Sequence, residues 1–164
     1  MCKNECCWIL MGGNHSSTKL LFERAVSAIN SNFGLVSRVG SIYRSNSWGY
    51  ESEFYFLNQL VELSTHLDAN VLLTKLKELE IELGREPLRD IEYTDRKIDL
   101  DILYFGQQVI NQSSIQIPHP RLQQRKFALE PLVEMIPNFI HPVFQKENSA
   151  LLEECTDQGI VVRL

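Results

Sequence analysis

Arg96-Lys97-Ile98-Asp99-Leu100-Asp101-Ile102-Leu103-Tyr104-Phe105-Gly106 is the stretch on which the reading of the fold turns. Its apolar residues and its length predict a buried β-strand, closed by Gly106. Side chains alternate faces along a strand with period two. Asp99 and Asp101 therefore share one face, and Ile98, Leu100 and Ile102 turn to the other, into a core. Two carboxylates side by side repel each other and are costly to bury. A divalent cation removes that repulsion. An all-oxygen ligand set suits Mg²⁺, which takes one or two carboxylates and fills its shell with water and phosphate oxygens. A solvated acidic patch on an exposed strand face accounts for the same two aspartates, so the pair by itself leaves both readings open.

The chain has 164 residues, 44% hydrophobic and 23% charged, which fits a single globular domain over residues 1–164 with a sizeable core. A formal net charge of −5 argues against a general nucleic-acid binder. Even so, Arg85, Arg89, Arg96, Lys97, Arg121, Arg125 and Lys126 gather in the segment that holds the aspartates. Acids are interleaved there, which predicts a local anion site rather than a basic surface. The cysteines are Cys2, Cys6, Cys7 and Cys155, with no C-x-x-C pair, so a zinc site is not expected. Free thiols in a reducing cytoplasm are the expectation. The apolar run over residues 6–11 is too short for the core of a signal peptide, and no run approaches membrane-spanning length, so no membrane association is expected.

In chain order, residues 6–11 read as a first strand, followed by a turn at Gly12-Gly13-Asn14. Ser16, Ser17 or Thr18 caps a helix whose stripe is Phe22, Val26, Ile29 and Phe33, ended by Gly34. Residues 35–43 and 54–64 read as strands, separated by a Ser/Asn/Gly loop that contains Trp48. On the second of these, Phe56, Asn58 and Leu60 share a face. Asn58 is either a bulge or edge residue bonded to backbone, or an amide that reads a flat heterocycle beside an aromatic wall. Asp68 caps a second helix with the stripe Leu72, Leu76, Leu79 and Leu83, Glu80 at the stripe's edge, and Gly84 as terminator. The polar segment from Arg85 to Arg96 reads as a loop over the site. After the aspartate strand come short strands at residues 109–110 and 115–117. The order β-α-β-β-α-β predicts an α+β fold with a ferredoxin-like core, an added C-terminal hairpin and C-terminal helices, and the aspartate strand inside the sheet. Prolines on both sides of His119 fix its backbone. That suits either a phosphate donor or a histidine packed in a rigid turn. Residues 128–135 read as a short helix with Glu130 and Pro131 in its first turn, and His141-Pro142 reads as structural.

Several of these pieces together resemble the 6-hydroxymethyl-7,8-dihydropterin pyrophosphokinase family of folate biosynthesis. The aspartate strand with Arg96 before it is followed by Pro118-His119-Pro120-Arg121, Arg125, Phe127-Ala128-Leu129-Glu130-Pro131-Leu132-Val133-Glu134 and Pro137. Upstream, Gly12-Gly13-Asn14, Tyr43-Arg44-Ser45, Phe56-Leu57-Asn58 and Glu80-Ile81-Glu82-Leu83-Gly84-Arg85 resemble further family motifs, in the right order over almost the whole chain. The resemblance implies pyrophosphate transfer from ATP to the hydroxymethyl group of the dihydropterin, with release of AMP. It implies that Asp99 and Asp101 hold two Mg²⁺ ions and that Arg96, His119 and Arg125 join them in catalysis. It implies nucleotide contacts from Glu80, Arg85, Arg89, Tyr93, Arg96, Ile102, His119, Arg121 and Arg125. Ser45 and Asn58 would bond the pterin edge, Phe56 and Phe127 would sandwich its ring, and Asp99 would also face this substrate. A monomer is expected. A pterin- or nucleotide-binding relative without transfer activity is the alternative. The chain departs from the family pattern at Tyr93-Thr94-Asp95, at Asn46-Ser47-Trp48-Gly49 and at Gly13, and Arg89 is a displaced candidate for a further family arginine.

Overall fold

The computed structural model describes residues 4–85 and 96–164. The chain runs through β1 (Glu5–Gly13), α1 (Thr18–Asn32), β2 (Leu35–Ser45), β3 (Phe56–Thr65), α2 (Ala69–Glu82) and β4 (Asp99–Phe105). It continues through β5 (Ile110–Asn111), β6 (Gln116–Ile117), a 3-10 turn (Leu122–Gln124), α3 (Lys126–Met135), α4 (Asn148–Glu153) and β7 (Val161–Arg163). The main sheet has the order β4-β1-β3-β2-β7, and β5 and β6 form a separate hairpin. Every neighbouring pair in the main sheet is antiparallel. The first four strands thus take the ferredoxin-like order, and β7 extends the sheet beyond β2.

The sequence places the aspartate strand inside the sheet; the structure corrects this, with β4 at an edge. It reads as interior because neither its outer face nor its outer edge is left bare. Leu100 N–H donates to Glu80 Oε1 at 2.6 Å, Leu100 C=O accepts from Lys77 Nζ at 3.1 Å, and Leu103 C=O accepts from His119 N–H at 3.0 Å. Backbone groups that a neighbouring strand would satisfy are satisfied by side chains and by the segment around His119.

Two layers of helix cover the sheet. Leu21, Phe22, Ala25 and Ile29 of α1 and Leu72, Leu76 and Leu79 of α2 pack on Ile9, Met11, Val61, Leu63, Leu100 and Ile102. On the opposite face, Trp8, Leu10, Leu60, Leu103 and Tyr104 lie under Ala128, Leu129 and Leu132 of α3 and Leu151 of α4. Each fully buried aliphatic or aromatic side chain contributes roughly 1.5–3 kcal/mol. The β1–β4 register shifts between Trp8 and Ile9. Leu103 and Tyr104 consequently both face α3 and α4, where strict alternation would separate them.

Local signals mostly act as read. Asp68 accepts from Val71 N–H at 3.0 Å at the start of α2. Other expectations need correction. Ser17 occupies the N-cap of α1 without a side-chain cap bond, and Thr18 Oγ1 instead accepts from His15 N–H at 3.0 Å. Gly12 and Gly13 are the last residues of β1 rather than a turn. Pro131 lies in the interior of α3, which starts earlier than expected, at Lys126. Glu80 is 1% exposed, not at the stripe's edge, because its carboxylate serves the β4 backbone. His141, by contrast, is structural as read: it is 2% exposed, and its Nδ1 accepts from Val143 and Phe144 N–H at 3.2 and 3.3 Å. Burial pushes its pKa down to about 4. Among the described residues, no helix is long and apolar enough to cross a membrane.

Candidate active site

The outward-facing ends of β1, β2, β3 and β4 form the floor of a cavity of about 480 Å³. Leu10 and Gly12 come from β1, Ser45 from β2, Phe56 and Asn58 from β3, and Asp99 and Asp101 from β4. In the sheet register Gly12 lies opposite Asn58 on one side and Asp99 on the other. A Cβ at Gly12 would sit 3.5 Å from Asn58 Oδ1, so a side chain there would fill the gap between amide and carboxylate. Gly13 has a different reason for its type. A Cβ there would come 2.5 Å from the Lys97 carbonyl, where the chain re-enters β4. That approach is fastened by Asn14, whose N–H donates to Arg96 C=O at 3.0 Å and whose Oδ1 accepts from Arg96 N–H at 2.8 Å.

One end of the cavity is ionic. Arg96 Nη1 donates to Asp99 Oδ2 at 2.8 Å and Arg85 Nη1 to Asp99 Oδ1 at 2.9 Å, while Arg85 also pairs with Glu80. Lys77 Nζ lies 2.6 Å from Glu80 Oε1 and 3.5 Å from both Asp99 Oδ1 and Asp101 Oδ1. Burial, the largest influence on Asp99, raises its pKa. Lys77, Arg85 and Arg96 together outweigh it and hold the carboxyl below its usual range. His119 faces this cluster from the other wall. Its Nδ1 is 3.2 Å from Arg121 N–H and its Nε2 is 3.3 Å from Arg125 Nη1. Burial, the largest effect, lowers its pKa, with Arg125 and Arg121 acting in the same direction against Asp101 and Asp99. The ring is therefore neutral at pH 7, with one nitrogen carrying a hydrogen.

The other end is neutral and aromatic. Asn58 Nδ2 donates to Ser45 Oγ at 2.9 Å, and the two residues are 2% and 3% exposed. Tyr50 meets Phe56 edge-on at 6.2 Å. Between the two ends the Arg125 guanidinium lies 4.8 Å from the Trp48 ring centroid and 5.7 Å from that of Phe127. The segment that leads into β7 braces both walls. Asn46 exchanges backbone and side-chain bonds with Ile160 at 3.3 and 3.2 Å, and Asp157 Oδ2 accepts from Lys126 N–H at 3.0 Å, the first N–H of α3.

Of the residues singled out in the sequence, Ser45, Phe56, Asn58, Arg85, Arg96, Asp99, Asp101, His119, Arg121, Arg125 and Phe127 line one cavity. Glu80 stands behind its wall, buried beneath Arg85 and Lys77. Ile102 is not brought to it: at 5% exposure its side chain packs in the core beneath α1 and α2. Arg89 and Tyr93 lie outside the described residues. Sequence reasoning missed Lys77, Asn46, Trp48 and Tyr50 as lining residues. Lys77 carried a usable signal, since it precedes Glu80 by one helical turn and so shares its face. Trp48 carried a weaker one, as a large aromatic in a polar loop with no periodic place in an element.

Comparison with known proteins gives the family. A family model for 7,8-dihydro-6-hydroxymethylpterin-pyrophosphokinase (HPPK) matches residues 8–137. The 2-amino-4-hydroxy-6-hydroxymethyldihydropteridine pyrophosphokinase of Bacillus subtilis is 33% identical over 160 residues, covering 97% of this chain and 90% of that protein. Its namesake from Aquifex aeolicus is 37% identical over 111 residues, 68% of each chain. Among solved structures, wild-type Plasmodium falciparum HPPK-DHPS with pteroate superposes at a TM-score of 0.77 over 93% of this chain, at 15% identity. This chain spans 44% of that one. HPPK-DHPS in complex with substrates gives a TM-score of 0.76 at 14% identity, over 93% of this chain and 43% of that one. At such identities the likeness is one of fold, and the sequence matches carry the assignment. The chain belongs to the 7,8-dihydro-6-hydroxymethylpterin-pyrophosphokinase family.

Proposed function

We propose that the protein transfers pyrophosphate from ATP to the hydroxymethyl group of 6-hydroxymethyl-7,8-dihydropterin, releasing AMP in folate biosynthesis. The observation that carries this reading is the division of one cavity. Asp99, Asp101, Lys77 and the arginines lie at one end, and the buried Asn58–Ser45 pair lies beside Phe56 and Phe127 at the other. In the reaction the hydroxymethyl oxygen bonds to the β-phosphorus, the bond from that phosphorus to the α–β bridging oxygen breaks, and AMP leaves with that oxygen. The hydroxyl proton passes to solvent in the same step.

The donor set fits Mg²⁺. Asp99 and Asp101 are 23% and 32% exposed on one face of β4 and offer only oxygen. Two carboxylates leave most of an octahedral shell open, and phosphate oxygens and water would fill it. On this reading two Mg²⁺ ions bind with ATP, and their chemistry is to neutralise the polyphosphate and lower the pKa of the attacking hydroxyl. The chain's own part is positional and electrostatic. Arg85 and Arg96 exchange Asp99 for phosphate oxygens when nucleotide arrives, and Arg121 and Arg125 close on them from the opposite wall. Neutral His119 donates its ring N–H to the polyphosphate and need not act as a base. Asn58 and Ser45 bond the pterin edge while Phe56 and Phe127 flank its ring. Arg89, Tyr93 and Ile102 are carried as nucleotide contacts by family resemblance alone, and Glu80 acts through Arg85. All of these groups belong to one chain, which fits a monomer, and the free thiols fit a reducing cytoplasm.

The test is AMP formation from ATP with and without the dihydropterin. AMP that depends on the pterin and on Mg²⁺, and that is lost in Asp99→Ala, is the expected result. Calorimetric binding of both ligands without AMP would instead mark a binding protein.

A further inference from the structure

The mechanism above leaves Lys77 without a task. It sits on α2 one turn before Glu80, and its Nζ lies 3.5 Å from Asp99 Oδ1 and 3.5 Å from Asp101 Oδ1. Arg85 and Arg96 also reach Asp99, but among the described residues Lys77 is the side chain that bridges the two aspartates. An ammonium midway between two carboxylates occupies the electrostatic role of a bridging metal ion. Its other partners, Glu80 Oε1 at 2.6 Å and Leu100 C=O at 3.1 Å, hold it there from behind. The side chain is 40% exposed, on a flexible four-carbon stem, so the charge has somewhere to go when a stronger cation arrives.

We infer that Lys77 is the resident counter-ion of the Asp99/Asp101 pair and that it sets the pair's affinity for divalent cations by competing with them. The inference rests on the metal reading of these aspartates. Without a cation, the two carboxylates would repel across the floor of the cavity and disfavour the ionised pair. With Lys77 in place that repulsion is offset, and a divalent ion gains full access only by displacing it. A +2 ion at the pair must push the ammonium off its carboxylates or be repelled by it at short range, and either costs binding, so neutralising Lys77 tightens metal binding, by about tenfold at low ionic strength. A purely structural role for Lys77, as the cap of the β4 edge, predicts no tightening.

The experiment is a titration of the full chain with Mn²⁺, reading the free ion by electron paramagnetic resonance in the absence of nucleotide. Wild type is compared with Lys77→Met, Lys77→Gln, Lys77→Arg and Asp101→Asn, each checked for folding by its circular dichroism melt. Lys77→Met and Lys77→Gln are expected to bind Mn²⁺ about tenfold tighter than wild type, with the gain shrinking at about 0.5 M salt. Lys77→Arg, which keeps the charge, stays close to wild type. Two neutral variants are included so that a folded one is available. Unchanged or weaker binding in a folded neutral variant overturns the inference while leaving the metal site intact. If Asp101→Asn binds Mn²⁺ as well as wild type does, the metal reading itself fails, and the role given to Lys77 fails with it.

Discussion

At one end of the cavity Asn58 and Ser45, 2% and 3% exposed, are joined by a single 2.9 Å bond. At the other, Asp99, Asp101 and Glu80 divide their oxygens among Lys77, Arg85 and Arg96. The amide end is buried, neutral and already in place, so a flat ligand docks there with little rearrangement. The carboxylate end is partly exposed, and its charges are satisfied by one another. On the proposed reading, the pairs made by Asp99 and Asp101 are traded when a polyphosphate and its metal enter. A preset end suits recognition of shape, and an exchangeable end suits chemistry in which charge moves.

Substitutions test that contrast. The largest effect is expected at the carboxylate end: Asp101→Ala lowers the rate of AMP formation roughly a thousandfold, because charge stabilisation of the transferring group is lost there. Binding of the free pterin, measured by calorimetry, should change little. A matching loss of pterin affinity would mean that the two ends are not separable. Next comes Asn58→Ala, which removes a buried amide and leaves Ser45 without its partner, at about 1–3 kcal/mol, or roughly 5- to 150-fold in pterin affinity. Nucleotide affinity should hold, and an equal drop for ATP would erase the distinction.

Acid stability gives a third measure. The Asp99 carboxyl is held below its ordinary 3.8 by Lys77, Arg85 and Arg96, which outweigh the opposing effect of its burial. Its contribution is therefore complete above that pH and lost as pH falls through the lower folded-state value. Urea midpoints followed from about pH 5 to about pH 2 should fall more steeply for wild type than for Asp99→Asn. Asn58→Ala, at the end that carries no carboxylate among its described lining residues, should keep the wild-type slope. The smallest effect is expected from Asp157→Ala, which removes the bond to the first N–H of α3 at about 1 kcal/mol. It should loosen Phe127 and Arg125 together and raise the KM for pterin and nucleotide by similar small factors.

The fold was legible in the sequence wherever one strong period ruled a segment. The stripe of α2, its Asp68 cap and the alternation of Asp99 and Asp101 against Leu100 and Ile102 all stand as read. The edge position of β4 was not legible, because a strand shielded by Glu80, Lys77 and the His119 backbone has the apolar pattern of an interior one. At the candidate site, the described site residues carried by contiguous motifs line the cavity, Ile102 and Glu80 apart. Lys77 and Trp48 were missed, because each acts through a spatial neighbour distant in sequence, Asp101 for the one and Arg125 for the other. The burial of Glu80 escaped for the same reason: its partner is the backbone of Leu100, and a backbone N–H leaves no mark in a residue string.

The shielding of β4 has a consequence outside catalysis. A bare sheet edge is a template for pairing with any other extended chain, and proteins guard such edges with charge or cover. Here the guards are Glu80 and Lys77, the same groups that hold Arg85 and the aspartates at the cavity. Drift that relaxes the site through these two residues also uncovers β4. Lineages that lose the activity this way should lose solubility in the same step, and an engineered variant of Glu80 should be screened first for aggregation and only then for rate.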